Sequence, residues 1–322
     1  MSERIGPRLR TRGLPGEFGD APFALCLTHD VDRVYKTVQA PFLTLRQRRM
    51  RHLRELLGDI RPYWCFDDIM EIEARYDARS SFYFLNEQHL FDLPPGRWLS
   101  PANWLQYTGH YRITDPRITD VIDRLDSGGW EVGIHGSYES YNDPDRFRME
   151  LASLERVLGS SVTGGRQHYL NLDIPATWRI HRNAGLQYDT SLGSSTRFGF
   201  HHGYDPIRPF NDDFLVFPLT AMEVSLRLEG QSLPEAKRSL DALIEEASEN
   251  GAVMSVLWHV RLFNDQDFPG YRHLYEHLLE RARSAGAWIG PVAEAHARLT
   301  GVDRDQDHRN TARESVEATG RP

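Results

Sequence analysis

Titratable side chains follow several short apolar segments of the sequence, at the point where each segment ends. Asp30 and Asp32 come directly after FALCLT, His135 ends the segment that begins WEVGI, Arg166 follows SVTGG, and His259 follows VMSVLW. Two carboxylates this close cannot easily both stay ionised without a cation or an arginine nearby. The pattern predicts a site that holds a cation on one carboxylate and transfers protons with the other. A solvated turn with an Asx cap is the alternative for an isolated pair of this kind.

Asp32 and His135 offer the oxygen and nitrogen atoms that zinc accepts. A catalytic zinc ion usually has three protein ligands and one position for water, so a third ligand is needed. Glu139, four residues after His135, reaches the same ion if the turn winds into a helix, and His168 competes for that role. A surface glutamate and a hydrogen-bonded structural histidine are the alternatives.

Proton transfer is predicted for the remaining polar residues. Arg166 can hold an ionised Asp30 through a bidentate contact and keep its pKa low enough for work as a base. His259 suits a general acid that protonates a leaving amine. Asp189 could orient His259, cap a turn or pair with an arginine. An arginine that pairs elsewhere and a core histidine bonded to the backbone remain open for Arg166 and His259.

Strands and helices must alternate to place these residues together. Eight short apolar or β-branched segments are separated, in most cases, by stretches of helical period, which predicts parallel βαβ units. The fold class is α/β, and this number of strands suits a (β/α) barrel, whose strands end at one face. The predicted strands are 23–28, 81–85, 130–134, 161–165, 185–189, 214–218, 253–258 and 288–291, and the predicted helices are 115–125, 143–158, 233–247 and 271–285.

The organisation along the 322 residues is predicted as one barrel with polar ends. Residues 1–20 are a flexible segment, 21–300 form the barrel with insertions near 33–62 and 86–113, and 301–322 are a disordered charged tail. The first insertion carries a basic stretch, 46–54, which is either a solvated face or a contact for a membrane surface or a phosphate.

Composition excludes several classes of protein. The 38 basic and 46 acidic side chains give a net charge of −8, which argues against a protein that grips nucleic-acid backbones. Two cysteines exclude a disulfide scaffold and a cysteine-based zinc module. The absence of a long apolar run and of a signal peptide predicts a protein that does not span a membrane and that is cytoplasmic.

Four short motifs, taken in the order in which they occur along the chain, resemble those of the NodB-type polysaccharide deacetylases, carbohydrate esterase family 4. The resemblance covers about residues 23–299. THDVD, HGSYE, GGRQHYL and VLWH are similar to the first, second, third and last motifs of that family. The resemblance implies a distorted (β/α) barrel and a divalent metal ion, zinc. It implies Asp30 as general base, Asp32 and His135 as metal ligands, Arg166 as the partner of the base, and His259 as general acid.

The sequence also departs from the family, because Glu139 stands where its second metal histidine belongs and Gln167-His168 replaces an apolar residue and proline. The resemblance implies a metal-dependent hydrolase that removes an acetyl or similar acyl group from an amino sugar or glycan precursor. The carbohydrate could be lipid- or nucleotide-linked, and aromatic residues in the loops suit stacking on sugars. The alternatives are a degenerate glycan-binding barrel without activity and a hydrolase of another non-peptide C–N bond. The sequence does not indicate an oligomeric state.

Overall fold

The computed structural model describes residues 16–36, 44, 62–108, 110–227 and 231–301. The predictions made for residues 1–15 and 302–322, for most of the insertion near 33–62 and for its basic stretch lie outside the described residues.

Nine strands form one sheet, and every pairing between named strands is parallel. All eight predicted strand segments overlap a strand, which confirms the predicted alternation. The strands are β1 (Ala24–Val31), β2 (Ser81–Leu85), β3 (Glu131–Gly136), β4 (Gly164–Gln167), β5 (Tyr188–Asp189), β6 (Leu215–Val216), β7 (Leu219–Met222), β8 (Val253–Leu257) and β9 (Trp288–Gly290).

The order of the strands is β6-β5-β4-β3-β2-β1-β8-β7, and β9 pairs with the first half of β1. β2 pairs with the second half of β1, so these two strands share one of its edges. The sheet curls as a distorted (β/α) barrel, as predicted, in which β1 lies between β2 and β8. All eight residues of β1 are buried, as expected for a parallel strand covered on both faces.

Helices follow most of the strands and bury an apolar face against the sheet. Asp115 accepts a hydrogen bond from the Arg117 N–H and so caps the helix that begins at Pro116. Asp143 caps the helix that begins at Pro144 by accepting from the N–H groups of Asp145 and Arg146. The helices are α1 (Phe66–Arg75), α2 (Pro101–Tyr107), α3 (Pro116–Ser127), α4 (Pro144–Leu158), α5 (Ala176–Asn183), α6 (Glu223–Leu226), α7 (Leu233–Asn250), α8 (Tyr271–Ser284) and α9 (Val292–Thr300).

The insertion near 86–113 consists of two short 3₁₀ turns, Leu90–Asp92 and Pro95–Leu99, followed by α2. None of the helices in the described part of the chain is long and apolar enough to cross a bilayer.

Candidate active site

Asp30 lies in β1 and forms a buried ion pair with Arg166 of β4. Arg166 Nη1 donates to Asp30 Oδ1 at 2.7 Å, and its Nη2 donates to the Thr28 hydroxyl at 2.9 Å. The Arg166 side chain is fully buried and that of Asp30 is 4% exposed. Burial alone would raise the pKa of Asp30, but Arg166, with help from His135 and His259, holds that pKa below its ordinary value. Asp30 is therefore an ionised carboxylate near neutral pH, as a general base must be.

Two glycines of β4 allow Arg166 to reach this position. A Cβ atom at Gly165 would lie 2.0 Å from the Ile134 carbonyl oxygen of β3. A Cβ atom at Gly164 would lie 2.2 Å from the ring of Tyr188 in β5. Both distances are far below van der Waals contact, so only glycine lets β4 approach its neighbours this closely.

His135 lies near the end of β3 and faces Asp30. Its Nδ1 donates to the Arg166 carbonyl oxygen at 3.0 Å, which leaves the lone pair of Nε2 directed at Asp30 Oδ2, 3.6 Å away. Burial lowers the pKa of His135 to about 4 despite the two nearby aspartates. The imidazole is therefore neutral at physiological pH.

His259, after β8, lies between two carboxylates. Its Nδ1 donates to Glu223 Oε1 at 2.6 Å, and its Nε2 faces Asp32 Oδ2 at 4.0 Å. Burial lowers the pKa of His259, but the Glu223 carboxylate outweighs that effect and the pKa is raised above its usual value. His259 is thus a histidine that carries a proton into the pocket, as a general acid must.

Asp32 forms an ion pair with a second arginine, Arg261. Arg261 Nη1 donates to Asp32 Oδ1 at 2.5 Å, and both side chains are mostly buried. Although burial opposes ionisation, Arg261 and, after it, His259 hold the pKa of Asp32 well below its usual range. The two aspartates, two residues apart in the sequence, are therefore both ionised because each pairs with a separate guanidinium.

Glu139 lies in a different set of contacts. Its carboxylate is 42% exposed and accepts from Arg97 and Tyr107, with Arg146 Nη1 3.4 Å away. The expected continuation into a helix is absent, because the segment after Glu139 is a three-residue 3₁₀ turn, Ser140–Asn142.

His168, the competing residue, packs at the site. Its ring centroid lies 5.1 Å from that of His135. Its Nδ1 lies 3.6 Å from Glu87 Oε2, a carboxylate that also binds Arg146.

The candidate ligands match zinc in chemical type but not in arrangement. One carboxylate and two imidazoles are a common donor set for zinc. Within the described ranges, however, no three His, Cys, Asp or Glu side chains gather so that they could hold a metal ion. Asp32 Oδ1 is bonded to Arg261, and Glu139 to a different cluster. The residues as they stand do not fit a zinc site, and zinc remains a prediction from the sequence alone.

The turn after β4 places strained backbone and an exposed ring beside these residues. Tyr169 (φ 57°) and Leu170 (φ 56°) adopt the left-handed conformation, which is costly for residues with a side chain. The Tyr169 ring is 60% exposed and lies 4.4 Å from the His168 ring and 5.6 Å from the Tyr138 ring, centroid to centroid. The strain holds an aromatic surface at the mouth of the site.

Several residues of the site could not be found from the sequence. Glu223 follows β7, a strand that the sequence analysis missed, and Arg261 lies in a 3₁₀ turn, Val260–Phe263. Asp189 does not orient His259. It accepts from the Trp178 indole and from the N–H and hydroxyl of Ser191, which is a structural role.

The parallel, curled sheet has the fold of the NodB-type polysaccharide deacetylases, carbohydrate esterase family 4. Solved structures support this assignment of the fold. No family model matches the sequence, and no curated protein sequence matches it.

The similar structures have low sequence identity and nearly full coverage. A protein assigned to the polysaccharide deacetylases from Mycobacterium smegmatis has a TM-score of 0.58 at 15% identity, with 91% of this chain and 94% of that chain covered. Another from Pseudomonas aeruginosa PAO1 has a TM-score of 0.60 at 14% identity, with 92% and 97% covered. The allantoinase PuuE has a TM-score of 0.57 at 16% identity, with 94% and 97% covered.

Proposed function

We propose that this protein is a hydrolase that removes an acetyl or similar acyl group from an amino sugar or glycan precursor. The observation that carries the proposal is the placement of an ionised carboxylate and a proton-bearing imidazole on one pocket. Asp30 is held by Arg166 at 2.7 Å, and His259 by Glu223 at 2.6 Å. Structural similarity to polysaccharide deacetylases supports the same reaction class.

The proposed reaction uses water as the nucleophile. Asp30 removes a proton from water as the water oxygen attacks the acyl carbon. The main-chain N–H of Tyr169, in the strained turn, would donate to the oxyanion that forms on the acyl oxygen. His259 Nε2 then gives its proton to the leaving nitrogen as the C–N bond breaks, so that the products are a carboxylic acid and an amine. The proton that Asp30 has taken then returns to solvent and His259 takes up a proton from solvent, so that both groups regain their starting states.

A carbohydrate substrate is supported by the aromatic side chains at the pocket. Tyr138 and Tyr169 are both exposed, and their rings meet edge to face beside His168. Flat rings that are partly open to solvent suit the apolar faces of sugars, since they offer contact area and a hydroxyl at the rim.

The test is release of acetate from a panel of N-acetylated sugars, free, lipid-linked and nucleotide-linked. We expect the wild type to release acetate and Asp30→Asn to lose activity by about 10³-fold or more, because an amide cannot accept the proton. Asp143→Asn is the matched control, since Asp143 caps α4 and an asparagine caps as well. Near-normal turnover by Asp30→Asn would contradict the assignment of the base.

A second candidate keeps the chemistry and changes the substrate. The similarity to an allantoinase favours a hydrolase of another non-peptide C–N bond. Ammonia or amine release from cyclic and linear amides, with no acetate from any sugar, would support it. Binding of glycans without release of product from either panel would support instead a glycan-binding barrel without activity. A cytoplasmic location and a lipid- or nucleotide-linked substrate remain predictions from the sequence.

A further inference from the structure

Asp32 contacts a guanidinium at the place where the resemblance calls for a metal ion. Arg261 Nη1 lies 2.5 Å from Asp32 Oδ1, and the second carboxylate oxygen faces His259 Nε2 at 4.0 Å. The Asp32 side chain is 11% exposed and that of Arg261 is 23% exposed, so solvent screens the pair only in part. Both oxygens of this carboxylate therefore already face a cationic or proton-bearing group.

Each carboxylate of the pocket already has a basic partner. Asp30 pairs with Arg166, Asp32 with Arg261 and Glu223 with His259. These contacts set three carboxylates against two guanidinium groups and one imidazole. Each of the two aspartates that would face a divalent ion is thus already held by a guanidinium, and an ion at Asp32 would have to displace Arg261 or lie beside its positive charge.

The imidazoles that could bind an ion each lie within 4 Å of a carboxylate other than Asp32. His135 donates from Nδ1 to the Arg166 carbonyl oxygen and directs Nε2 at Asp30 rather than at Asp32. His168 has its Nδ1 3.6 Å from Glu87 Oε2. No set of three ligands is gathered in the described part of the chain, as noted above.

We propose that Arg261 takes the place of a divalent ion at Asp32, and that the pocket works with this fixed guanidinium instead of a metal. An arginine stays charged at every physiological pH and offers five N–H donors in a planar fork. One Nη1–H is used on Asp32, whose other carboxylate oxygen faces His259 Nε2. Arg261 would thus supply the positive charge beside the acyl group of the substrate. The exclusion of an ion rests on the Asp32–Arg261 pair itself, whereas the part played by Arg261 beside the acyl group rests on the proposed function.

The first measurement uses the intact wild-type protein, produced without a histidine tag in medium that contains zinc. We expect elemental analysis to find substoichiometric zinc, manganese, iron, cobalt and nickel. We expect the thermal unfolding midpoint to be unchanged by a chelator and by added zinc, because a metal bound to the folded state would raise it. One tightly bound divalent ion per chain, lost in Asp32→Asn, would overturn the proposal.

The second measurement frees Asp32 from its arginine. We expect Arg261→Met to bind zinc about 10-fold or more tightly than the wild type in equilibrium dialysis, because the carboxylate is then open to an ion. The double variant Arg261→Met/Asp32→Asn should lose that gain. Arg272→Met is the matched control, since it breaks a more exposed pair with Asp68 on the helices and should leave zinc affinity unchanged.

The outcomes separate this inference from the proposed function. Zinc affinity that Arg261→Met leaves unchanged would overturn the claim that Arg261 excludes the ion. Should Arg261→Met fail to fold, the measurements on the wild type still decide the question. Because none of these readouts uses turnover, a protein that releases no acetate can still support or contradict the metal-free site.

Discussion

Glu223 contacts His259 on the side of the imidazole away from Asp32, and Glu223→Gln removes one charge there with little change of shape. The Nδ1–Oε1 contact is 2.6 Å and the Glu223 side chain is fully buried. Two unit charges about 4 Å apart near a protein surface attract each other by about 4 kcal/mol. Burial of the imidazole offsets part of that energy. We therefore expect Glu223→Gln to lower kcat by about 10²- to 10³-fold, because the imidazolium that must donate is less stable.

The same substitution should move the pH profile in a defined direction. A general acid must be protonated, so activity falls as the pH rises through the pKa of His259. Glu223 raises that pKa, and its removal lowers it. We expect the basic limb of kcat/KM to move to lower pH in Glu223→Gln. The acid limb follows Asp30, whose pKa lies below its ordinary value, and it should stay in place.

Glu131→Gln is the matched control for this experiment. Glu131 is buried, accepts from the Tyr188 hydroxyl at 2.6 Å and the Ala293 N–H at 2.9 Å, and begins β3 at the end opposite to the site. Its loss should lower the free energy of unfolding without a shift of the pH profile. An unchanged basic limb and normal kcat in Glu223→Gln would refute the reasoning that Glu223 sets the proton affinity of the acid.

Three further substitutions separate the roles of neighbouring residues. Arg166→Met should lower the free energy of unfolding in urea by about 3–5 kcal/mol, since it leaves the Asp30 carboxylate buried and unpaired, and adding Asp30→Asn should restore part of that loss. Glu139→Gln should change the free energy of unfolding by less than about 1 kcal/mol, because its ion pairs are exposed. It should also keep normal turnover in the acetate assay, whereas a metal ligand would not. Tyr169→Gly removes an exposed ring and relieves the left-handed backbone, so KM for a glycan should rise by about 5-fold or more while the thermal unfolding midpoint is retained.

The arrangement of the strands could be predicted because its signals are local. Each buried parallel strand is a short apolar segment, and the residues next to it indicate the turn or helix cap that follows. β7 was missed because it follows β6 after only two residues, and the predicted segment 214–218 ends at Pro218, directly before Leu219–Met222. Because β7 was not predicted, Glu223, the partner of His259, was not identified either.

The convergence of the site could also be predicted, since parallel strands end at one edge of a sheet. Asp30, Asp32, His135, Arg166 and His259 are brought together in the structure, although their roles remain proposals. The partners of these side chains could not be predicted, because ion pairs join residues that are distant in the sequence and leave no periodic signal. Asp32 and Arg261 are 229 positions apart.

The spacing between His135 and Glu139 predicted a helix, whereas the structure has a short 3₁₀ turn after Glu139. Glu139 is the fourth residue after His135, a spacing that would place both on one face of a helix. The chain instead makes a short 3₁₀ turn, and the cations Arg97 and Arg146 pair with the carboxylate from the insertion and from α4. The path of the backbone after His135, rather than a helical spacing, places Glu139 beside Arg97 and Arg146.

The two aspartates of THDVD acquire different chemistry from their partners. Asp30 uses Oδ1 for Arg166 and directs Oδ2 at His135, a neutral imidazole that leaves this oxygen able to accept a proton from water. Asp32 uses Oδ1 for Arg261 and directs Oδ2 at His259, whose proton it attracts into the pocket. One carboxylate therefore faces a group without a charge and the other faces the acid. This difference supports the proposal that Asp30 acts as the base and that Asp32 acts electrostatically beside the guanidinium of Arg261.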